Sequence, residues 1–335
     1  MSHKYVAVAW NPRKKAFDAF LAAGVLLYLA VFVGGSLAAL GADAPSEEIL
    51  LLRGAGSAAL VLLHVVLAIG PLTRLDARFA PLLYNRRHLG VLLFFLALVH
   101  AVVVSITYFG FAARDPLYNL LSVEGGDADG PFGVFPLLGL MALGALALLA
   151  TTSHDFWQKV LGPVAWKSIH MLVYPAYALV VVHVALGALR SEHGSALVVG
   201  LGAGAGLLSS LHLAAALRSR RVDEDARASE DDWLDVGPAE RFPLDRARSV
   251  RLPSGARLAV VRHAGGLSAL HGVCAHQAGP LYEGRVIDGC LTCPWHGWQY
   301  RPEDGRSPPP FEERIASYPI RVREGRVEIR EVPNG

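Results

Sequence analysis

Four residues in the C-terminal third of the chain have the types and the spacing of metal ligands. Cys274 and His276 form a C-x-H pair, and sixteen residues later Cys293 and His296 form a C-x-x-H pair. A thiolate and an imidazole that lie one or two residues apart on a tight loop can bind one metal centre. The two loops would together supply two sulfur and two nitrogen ligands.

This ligand set is the one that distinguishes a Rieske [2Fe–2S] centre, in which two histidines replace two cysteines on one iron. Cys274 and Cys293 would bind one iron, and His276 and His296 would bind the other. A structural zinc site also uses Cys and His, but zinc patterns normally separate both pairs by two to four residues, and C-x-H is shorter. The sequence predicts a [2Fe–2S] cluster, with zinc as the alternative.

The residues around these loops have the pattern of a small β domain. Short alternating runs at 257–262, 285–291 and 321–329 are separated by Gly and Pro, which predicts strands. Residues 233–331 resemble a Rieske domain, and the resemblance includes the Pro-rich loop 307–310 after the second ligand pair.

The details of the resemblance favour one branch of the Rieske family. Rieske proteins of quinol-oxidising complexes carry an additional, disulfide-forming Cys in each ligand loop, and the corresponding positions here are Gly279 and Trp295. The loops are similar to those of Rieske ferredoxins and oxygenases, whose clusters generally have lower potentials because fewer hydrogen bonds reach the sulfurs. Cys290 is left over as an unpaired strand cysteine. No segment between 218 and 335 could supply the mononuclear iron domain of an oxygenase, so the cluster is expected only to carry electrons.

The chain before this domain is apolar enough for a lipid bilayer. Of all residues 53% are hydrophobic and 18% charged, and frequent charges, Gly and Pro begin only at Arg218. Six runs reach the length needed to cross about 30 Å of hydrocarbon. They lie near 16–40, 54–70, 89–110, 133–151, 167–189 and 195–217. The first run is interpreted as a retained helix and not as a removable signal peptide.

The charges between the runs predict the orientation of the chain in the membrane. Most basic residues lie in the connections on one side, and these are Lys4, Arg13, Lys14, Lys15, Arg74, Arg78, Arg86, Arg87, Lys159, Arg218, Arg220 and Arg221. By the positive-inside rule, both termini are expected to be cytoplasmic, in a multi-pass protein of the bacterial inner (plasma) membrane. The net charge of +2 and the absence of a DNA- or RNA-binding motif exclude nucleic acid as an expected partner.

Histidines within the predicted spans are candidates for a second cofactor, because polar residues at this depth are costly and usually functional. His100 and His183 lie at comparable depth on helices that run in the same direction, so they are expected to be axial ligands of a b-type haem. His64 lies at a suitable depth to pair with His170 in a second, inner haem. His170 and His183 are thirteen residues apart and do not share a face of an ideal helix, but Pro175 between them could kink it.

A second resemblance supports the haem interpretation. Residues 53–189 are similar to ferric reductase-type transmembrane domains, above all to the MsrQ/YedZ-type haem-bearing membrane subunit of the bacterial periplasmic methionine sulfoxide reductase system. The matching stretches are PLTR at 71–74, RRHLG at 86–90 running to His100, and WKSIHMLVY at 166–174 running to His183. The resemblance implies that His100, His170 and His183 are haem-linked, whereas His64 and His88 depart from it. His88 is expected to contact a headgroup or a haem propionate, and His154 and His212 are expected to be structural.

These observations predict an all-α six-helix transmembrane haem-binding bundle at 1–217, a flexible linker at 218–232 and a small all-β Rieske domain at 233–335. Ferric reductases and NADPH oxidases carry a flavin and nicotinamide module where this chain has the Rieske domain, and no G-x-G-x-x-G after a strand is present to bind a dinucleotide. We expect transmembrane electron transfer, either as an enzyme or as a subunit of one. A cytoplasmic reductase or ferredoxin would reduce the cluster, and the haem would pass electrons to a periplasmic redox protein, metal ion or quinone. The alternatives are a quinone-linked oxidoreductase that feeds the cluster from the haem, and a non-redox membrane scaffold.

Overall fold

The computed structural model describes residues 12–83, 85–109, 135–188, 194–222, 224–225, 227–228, 232–295 and 297–334. The N-terminal part is helical and the C-terminal part consists of strands and loops. The helices are α1 (Pro12–Leu40), α2 (Glu47–Leu75), α3 (Arg86–Val104), α4 (Phe135–Thr151), α5 (Asp155–His170), α6 (Val173–Ala188) and α7 (Gly194–Val222), with a single helical turn at Ala80–Leu83 and a π-helical turn at Ser105–Phe109.

The N-terminal part has the helices of a membrane protein. Five described stretches are long and apolar enough to cross a bilayer, namely Lys15–Asp43, Glu47–Leu75, Arg86–Thr107, Ala165–Gly187 and Leu197–Arg218. The span predicted at 133–151 corresponds to a shorter apolar helix, Pro136–Thr151. The structure therefore supports five spans, and the number six stays a prediction.

Helix α2 lies at the centre of the bundle. It packs against α1, α3 and α7, while α6 packs against α4 and α7. Leu63, Leu67 and Ile69 of α2 are almost completely buried. The outer helices instead expose large apolar side chains such as Phe20 and Leu207. Helices that are apolar on their outer faces as well as their inner faces suit a lipid environment.

The helix is interrupted between α5 and α6. α5 ends at His170, and α6 begins at Val173 with Pro175 in its first turn. Proline has no N–H to offer the carbonyl four residues before it, which is that of Met171. That carbonyl accepts a hydrogen bond from the N–H of Tyr174 instead, at 3.1 Å. The irregularity expected from Pro175 is thus a break just before it.

The C-terminal part is a small all-β domain, as predicted. Its strands are β1 (Glu224–Asp225), β2 (Arg227–Ala228), β3 (Trp233–Pro238), β4 (Ala247–Arg251), β5 (Arg257–His263), β6 (Gly266–His271), β7 (Arg285–Ile287), β8 (Cys290–Thr292), β9 (Gln299–Tyr300), β10 (Ser317–Tyr318), β11 (Ile320–Arg323) and β12 (Arg326–Arg330). They form three sheets with the orders β1-β4-β5-β6-β10, β11-β12-β3-β2 and β7-β8-β9. All pairs are antiparallel except β1 with β4.

Two of the three predicted strand runs are hairpins. The run at 285–291 contains β7 and β8, joined at Asp288 and Gly289, and the run at 321–329 contains parts of β11 and β12, joined at Glu324 and Gly325. All four turn residues have positive φ, between 51° and 77°. A two-residue turn with positive φ at both positions matches the twist of the strands that it joins. The hairpin at 285–292 leads into the second ligand loop.

The structure describes parts of the segment at 218–232, which the sequence predicts to be a flexible linker. Helix α7 continues to Val222. Strand β1 pairs with β4, and β2 pairs with β3, so the residues at 224–225 and 227–228 belong to the sheets of the C-terminal domain. The flexible linker stays a prediction.

Candidate functional site

The two predicted ligand loops begin directly after strands that fix their position. Cys274 follows β6 by three residues, and its N–H donates to the carbonyl of Gly279 at 2.9 Å. Cys293 follows β8 directly, and its N–H donates to the carbonyl of Trp298 at 2.7 Å. Each loop is therefore closed by a main-chain hydrogen bond at its cysteine.

The two cysteine side chains are buried side by side. Cys274 is 1% exposed and Cys293 is 2% exposed. Burial opposes ionisation of Cys274, but hydrogen bonds from Cys293, Tyr300 and nearby backbone amides outweigh it and lower the pKa of Cys274 to about 7. Because the thiolate is the form that binds metal, this environment suits a metal ligand. The paired thiols fit the predicted iron with two sulfur ligands.

The structure describes one of the two predicted histidine ligands. The ring of His276 stacks on Trp298, with ring centres 4.2 Å apart and planes 12° from parallel. Trp298 donates from Nε1 to the hydroxyl of Ser307 at 2.9 Å, so the Pro-rich loop 307–310 supports the ring on which His276 rests. His296 lies outside the described residues. In the part of the chain that the structure describes, no three His, Cys, Asp or Glu side chains form a site for a single metal ion.

Tyr300 is a site residue that the sequence analysis missed. Its hydroxyl lies 3.3 Å from Cys274 Sγ and accepts a hydrogen bond from the N–H of Ala275 at 3.0 Å. Burial and the adjacent cysteine raise the pKa of Tyr300, so the hydroxyl keeps its proton and donates to the sulfur. The sequence does hold one signal for this role of Tyr300, namely its position seven residues after Cys293, on the strand that follows the second ligand loop.

We expect Tyr300→Phe to lower the reduction potential of the cluster by tens of millivolts. A hydrogen bond to a sulfur ligand stabilises the reduced, more negative cluster. If its loss costs the reduced state about 1 kcal/mol more than the oxidised state, the potential of a one-electron couple falls by roughly 40 mV. A redox titration followed by EPR measures this. An unchanged or higher potential would contradict the assigned bond, and Tyr282→Phe is the control, because Tyr282 is half-buried outside this contact.

Within the bundle, the structure brings His100 and His183 together. Their ring centres are 6.3 Å apart and the ring planes are nearly perpendicular, at 83°. Nδ1 of His100 donates to the carbonyl of Leu52 at 2.8 Å. Since a carbonyl can only accept, the proton lies on Nδ1, which leaves Nε2 free to bind a metal. Two such rings from α3 and α6 fit the axial ligand pair of a b-type haem.

Glycines make room for three of the intramembrane imidazoles. A Cβ added to Gly56 would lie 2.9 Å from Nδ1 of His100, and one added to Gly139 would lie 2.8 Å from Cε1 of His183. A Cβ on Gly204 would lie 3.0 Å from Nε2 of His64. Larger residues at these positions would displace the rings. Small residues in transmembrane helices commonly allow such close approach.

His64 and His170, the predicted pair for a second haem, contact different partners. His64 accepts a hydrogen bond at Nε2 from the hydroxyl of Tyr177, at 3.0 Å. His170 donates from Nδ1 to the carbonyl of Trp166 at 3.0 Å, and its ring stacks on Trp166 with centres 3.8 Å apart. Nε2 of His170 lies 3.5 Å from the hydroxyl of Ser153. The second haem therefore stays a prediction.

Three further histidines have structural contacts. His88 binds the carboxylate of Asp18 at 2.7 Å and so links α3 to α1. His154 caps the first turn of α5 by accepting from the N–H of Phe156. His212 lies edge-on to Tyr174, with ring centres 5.6 Å apart. The contact of His88 with Asp18 could not be predicted, because the two residues are 70 positions apart in the chain.

A β domain with two Cys/His loops, joined to an apolar bundle with facing imidazoles, defines a membrane-bound electron carrier. The chain belongs to the Rieske [2Fe–2S] domain family, which matches residues 232–319, and it carries a ferric reductase like transmembrane component at residues 54–181. The C-terminal domain is therefore a Rieske domain that holds a [2Fe–2S] cluster. Together the two matches indicate transmembrane electron transfer.

Individual relatives match one part of the chain or the other. The anthranilate 1,2-dioxygenase ferredoxin subunit of Burkholderia cepacia is 33% identical over 99 residues, which is 29% of this chain and 91% of the relative. The ferredoxin component of the alkene monooxygenase system of Xanthobacter autotrophicus is 39% identical over 75 residues, 22% of this chain and 62% of the relative. The protein-methionine-sulfoxide reductase heme-binding subunit MsrQ of Polaromonas naphthalenivorans is 33% identical over 144 residues, 43% of this chain and 59% of the relative.

Proposed function

We propose that the chain conducts electrons across the bacterial inner membrane, from a cytoplasmic donor through the Rieske cluster and b-type haem to an acceptor on the periplasmic side. The donor is a soluble reductase or ferredoxin, and the acceptor is a periplasmic redox protein, a metal ion or a quinone. One observation carries the proposal. Nζ of Lys167 in α5 lies over the ring of Trp295 in the second ligand loop, 5.3 Å from the ring centre. The cluster loops therefore adjoin the membrane bundle.

The order of the histidines along the chain supports a path through the membrane. His170 lies three residues after Lys167, at the end of the bundle nearest the ligand loops. His183 lies ten residues after the start of α6 at Val173, which corresponds to about 15 Å along the axis of α6. That distance is about half of the roughly 30 Å hydrocarbon layer. His170 is thus suited to receive electrons from the cluster side, and the His100–His183 pair is suited to deliver them deeper in the bilayer.

The chain's own residues would bind and shield the haem. His100 and His183 would hold the haem iron through imidazole nitrogens, Leu52 fixes the tautomer of His100, and Gly139 leaves room for the ring of His183. A bound haem supplies a reversible one-electron couple. The apolar helices around it exclude water, and Trp166 holds the ring of His170 by stacking.

The quinol-fed alternative has one observation in its favour. The hydroxyl of Tyr177 and the imidazole of His64 form a hydrogen-bonded pair within the bundle, next to Gly204. If the bond between them opens, the hydroxyl can donate to a quinone oxygen and Nε2 of the imidazole can accept from a quinol hydroxyl. In this second function, a membrane quinol would reduce the haem and the Rieske domain would deliver electrons to a soluble acceptor.

Oriented membrane vesicles test the direction of transfer. We expect a chemically reduced [2Fe–2S] ferredoxin, which cannot cross the membrane, to reduce the haem only in inside-out vesicles, because the cluster faces the cytoplasm. A reporter fused after Gly335 should likewise be active only in its cytoplasmic form. Reduction of the haem from the periplasmic side alone would overturn the proposed topology. Reduction of the cluster by an added quinol, lost in His64→Ala, would favour the alternative.

A further inference from the structure

We propose that the electron-transfer partner of the Rieske domain is the bundle of its own chain, and that four residues form the docking surface. These are Trp295 and Glu283 on the Rieske domain and Lys167 and Arg74 on the bundle. The docking is inferred from contacts in the structure, and its role in electron transfer rests on the function proposed above.

The side chain of Trp295 packs against both the bundle and the Rieske domain. Its indole packs against the apolar cluster at the centre of the bundle, and also against the apolar cluster of the Rieske domain that contains Cys274 and Cys293. Trp295 follows Cys293 by two residues and directly precedes His296. The part of the Rieske domain that touches the bundle is therefore the ligand loop itself, which is the part from which an electron leaves the cluster.

The bundle presents a cation to this indole. Nζ of Lys167 lies 5.3 Å from the ring centre of Trp295, within the range of a cation–π interaction. Lys167 directly follows Trp166, whose ring stacks on His170. The contact thus joins the second ligand loop to Lys167, the residue next to Trp166, and Trp166 in turn stacks on the intramembrane His170.

An ion pair joins the first ligand loop to a different helix. Nε of Arg74, near the end of α2, lies 3.5 Å from Oε1 of Glu283. Glu283 ends the short helical turn Leu281–Glu283, which follows the loop of Cys274. Both ligand loops therefore contact the bundle, on two separate helices. Two such contacts fix the rotation of the domain as well as its distance from the bundle.

Gly279 helps to shape this surface. A Cβ at Gly279 would lie 2.5 Å from Sγ of Cys293 and 3.4 Å from the indole of Trp295, so the glycine leaves room for the ligand sulfur as well as for the aromatic ring. The pair Gly279 and Trp295 gives the ligand end of the domain a flat aromatic face. A flat ring and a long, flexible ammonium side chain can meet without close fitting of other side chains.

The charges make the docking weak enough to be reversible. The Arg74 and Glu283 side chains are 40% and 26% exposed, and such surface ion pairs contribute little and are screened by salt. Arg246 of the Rieske domain lies close enough to Arg218 of α7 for their charges to interact, and this repulsion between like charges weakens the docking further. Because both halves belong to one chain, a weak interface still suffices. A soluble donor can then reach the ligand face when the domain is released.

Carbodiimide cross-linking tests the docking without any electron transfer. In Arg74→Lys, the new amine should form an amide with Glu283, and mass spectrometry should find the linked peptides. The product should disappear in Arg74→Lys/Glu283→Gln and decrease with added salt. Arg78→Lys is the matched control, because Arg78 binds Asp76 on its own side of the interface. The docking surface would be refuted if the Arg74→Lys variant gave no link to Glu283, or if the Arg78→Lys variant gave an equal yield of one.

Rapid kinetics test the role of the docking surface in electron transfer. One electron leaves the reduced cluster and converts ferric to ferrous haem, and we expect Trp295→Leu and Lys167→Met to slow this step several-fold, with unchanged haem content and cluster EPR signal. Trp157→Leu, at an exposed tryptophan of α5, is the control. Cross-linking without any transfer from cluster to haem would refute the proposed function but not the docking. Normal transfer in the Trp295 and Lys167 variants would refute the role of this surface and leave the proposed function standing.

Discussion

Purified His183→Ala and His100→Ala proteins are expected to lose the low-spin Soret and α bands of b-type haem. The two imidazoles face each other across the bundle, with ring centres 6.3 Å apart, and on our proposal each would supply one nitrogen to the haem iron. Residues that merely support a ligand typically contribute about 10- to 100-fold to metal affinity, so removal of a ligand itself should cost more than about 100-fold. Absorption spectra and a haem assay per mole of protein measure the loss.

A glycine pair on α4 provides the control for this prediction. Gly139→Ala places a methyl group 2.8 Å from Cε1 of His183 and should give an intermediate loss of haem, because the ring must move. Gly144→Ala, on the same helix, meets nothing within 4 Å and should retain full haem content. If the His100→Ala/His183→Ala double variant keeps the spectrum and stoichiometry of the parent protein, this pair does not bind the haem.

Cys293→Ser and His296→Cys should stop haem reduction by the soluble donor while haem content and reduction by dithionite remain intact. Cys293 is buried beside Cys274, and without its thiolate the cluster loses a ligand that a serine hydroxyl does not replace well. The loss should be nearly complete, because the donor would have no other entry to the bundle. Stopped-flow absorbance at the haem bands, with EPR to quantify the cluster, gives both readouts.

Cys290→Ser is the matched control for the cluster variants. Cys290 is half-buried at the start of β8, and burial and nearby carboxylates raise the pKa of its thiol, so it remains a neutral strand residue. Its replacement should leave the rate and the EPR signal unchanged. Should the donor reduce the haem of Cys293→Ser at the normal rate, electrons do not enter at the cluster, and the quinol-fed direction becomes the better interpretation.

The local features of this protein could be predicted from the sequence, whereas most of the long-range contacts could not. The loops of Cys274 and Cys293 are encoded within a few residues, so ligand spacing alone predicted the kind of cluster. Tyr300, by contrast, reaches Cys274 across 26 residues. The Asp288–Gly289 dipeptide is a local signal for a hairpin, whereas the alternation of polar and apolar residues around it, taken alone, indicates a single strand.

Depth in the membrane was predictable, but rotation about the helix axis was not. Counting residues from the helix ends placed His100 and His183 at one level, and the structure brings their rings together. The same counting paired His64 with His170, which turn toward Tyr177 and Trp166 instead. The break before Pro175 resets the rotation of α6 relative to α5, and no ideal helical wheel can anticipate its size.

The short connection between α7 and β1 limits how far the Rieske domain can swing. A single residue, at position 223, separates the end of α7 at Val222 from β1, which pairs with β4 inside the domain. A larger movement of the Rieske domain would first have to break the two-residue pairings of β1 with β4 and of β2 with β3. On the proposal above, the domain would stay close to the bundle of its own chain. Transfer from cluster to haem would then take place within one polypeptide, and its rate would not depend on how densely the membrane is populated with other copies.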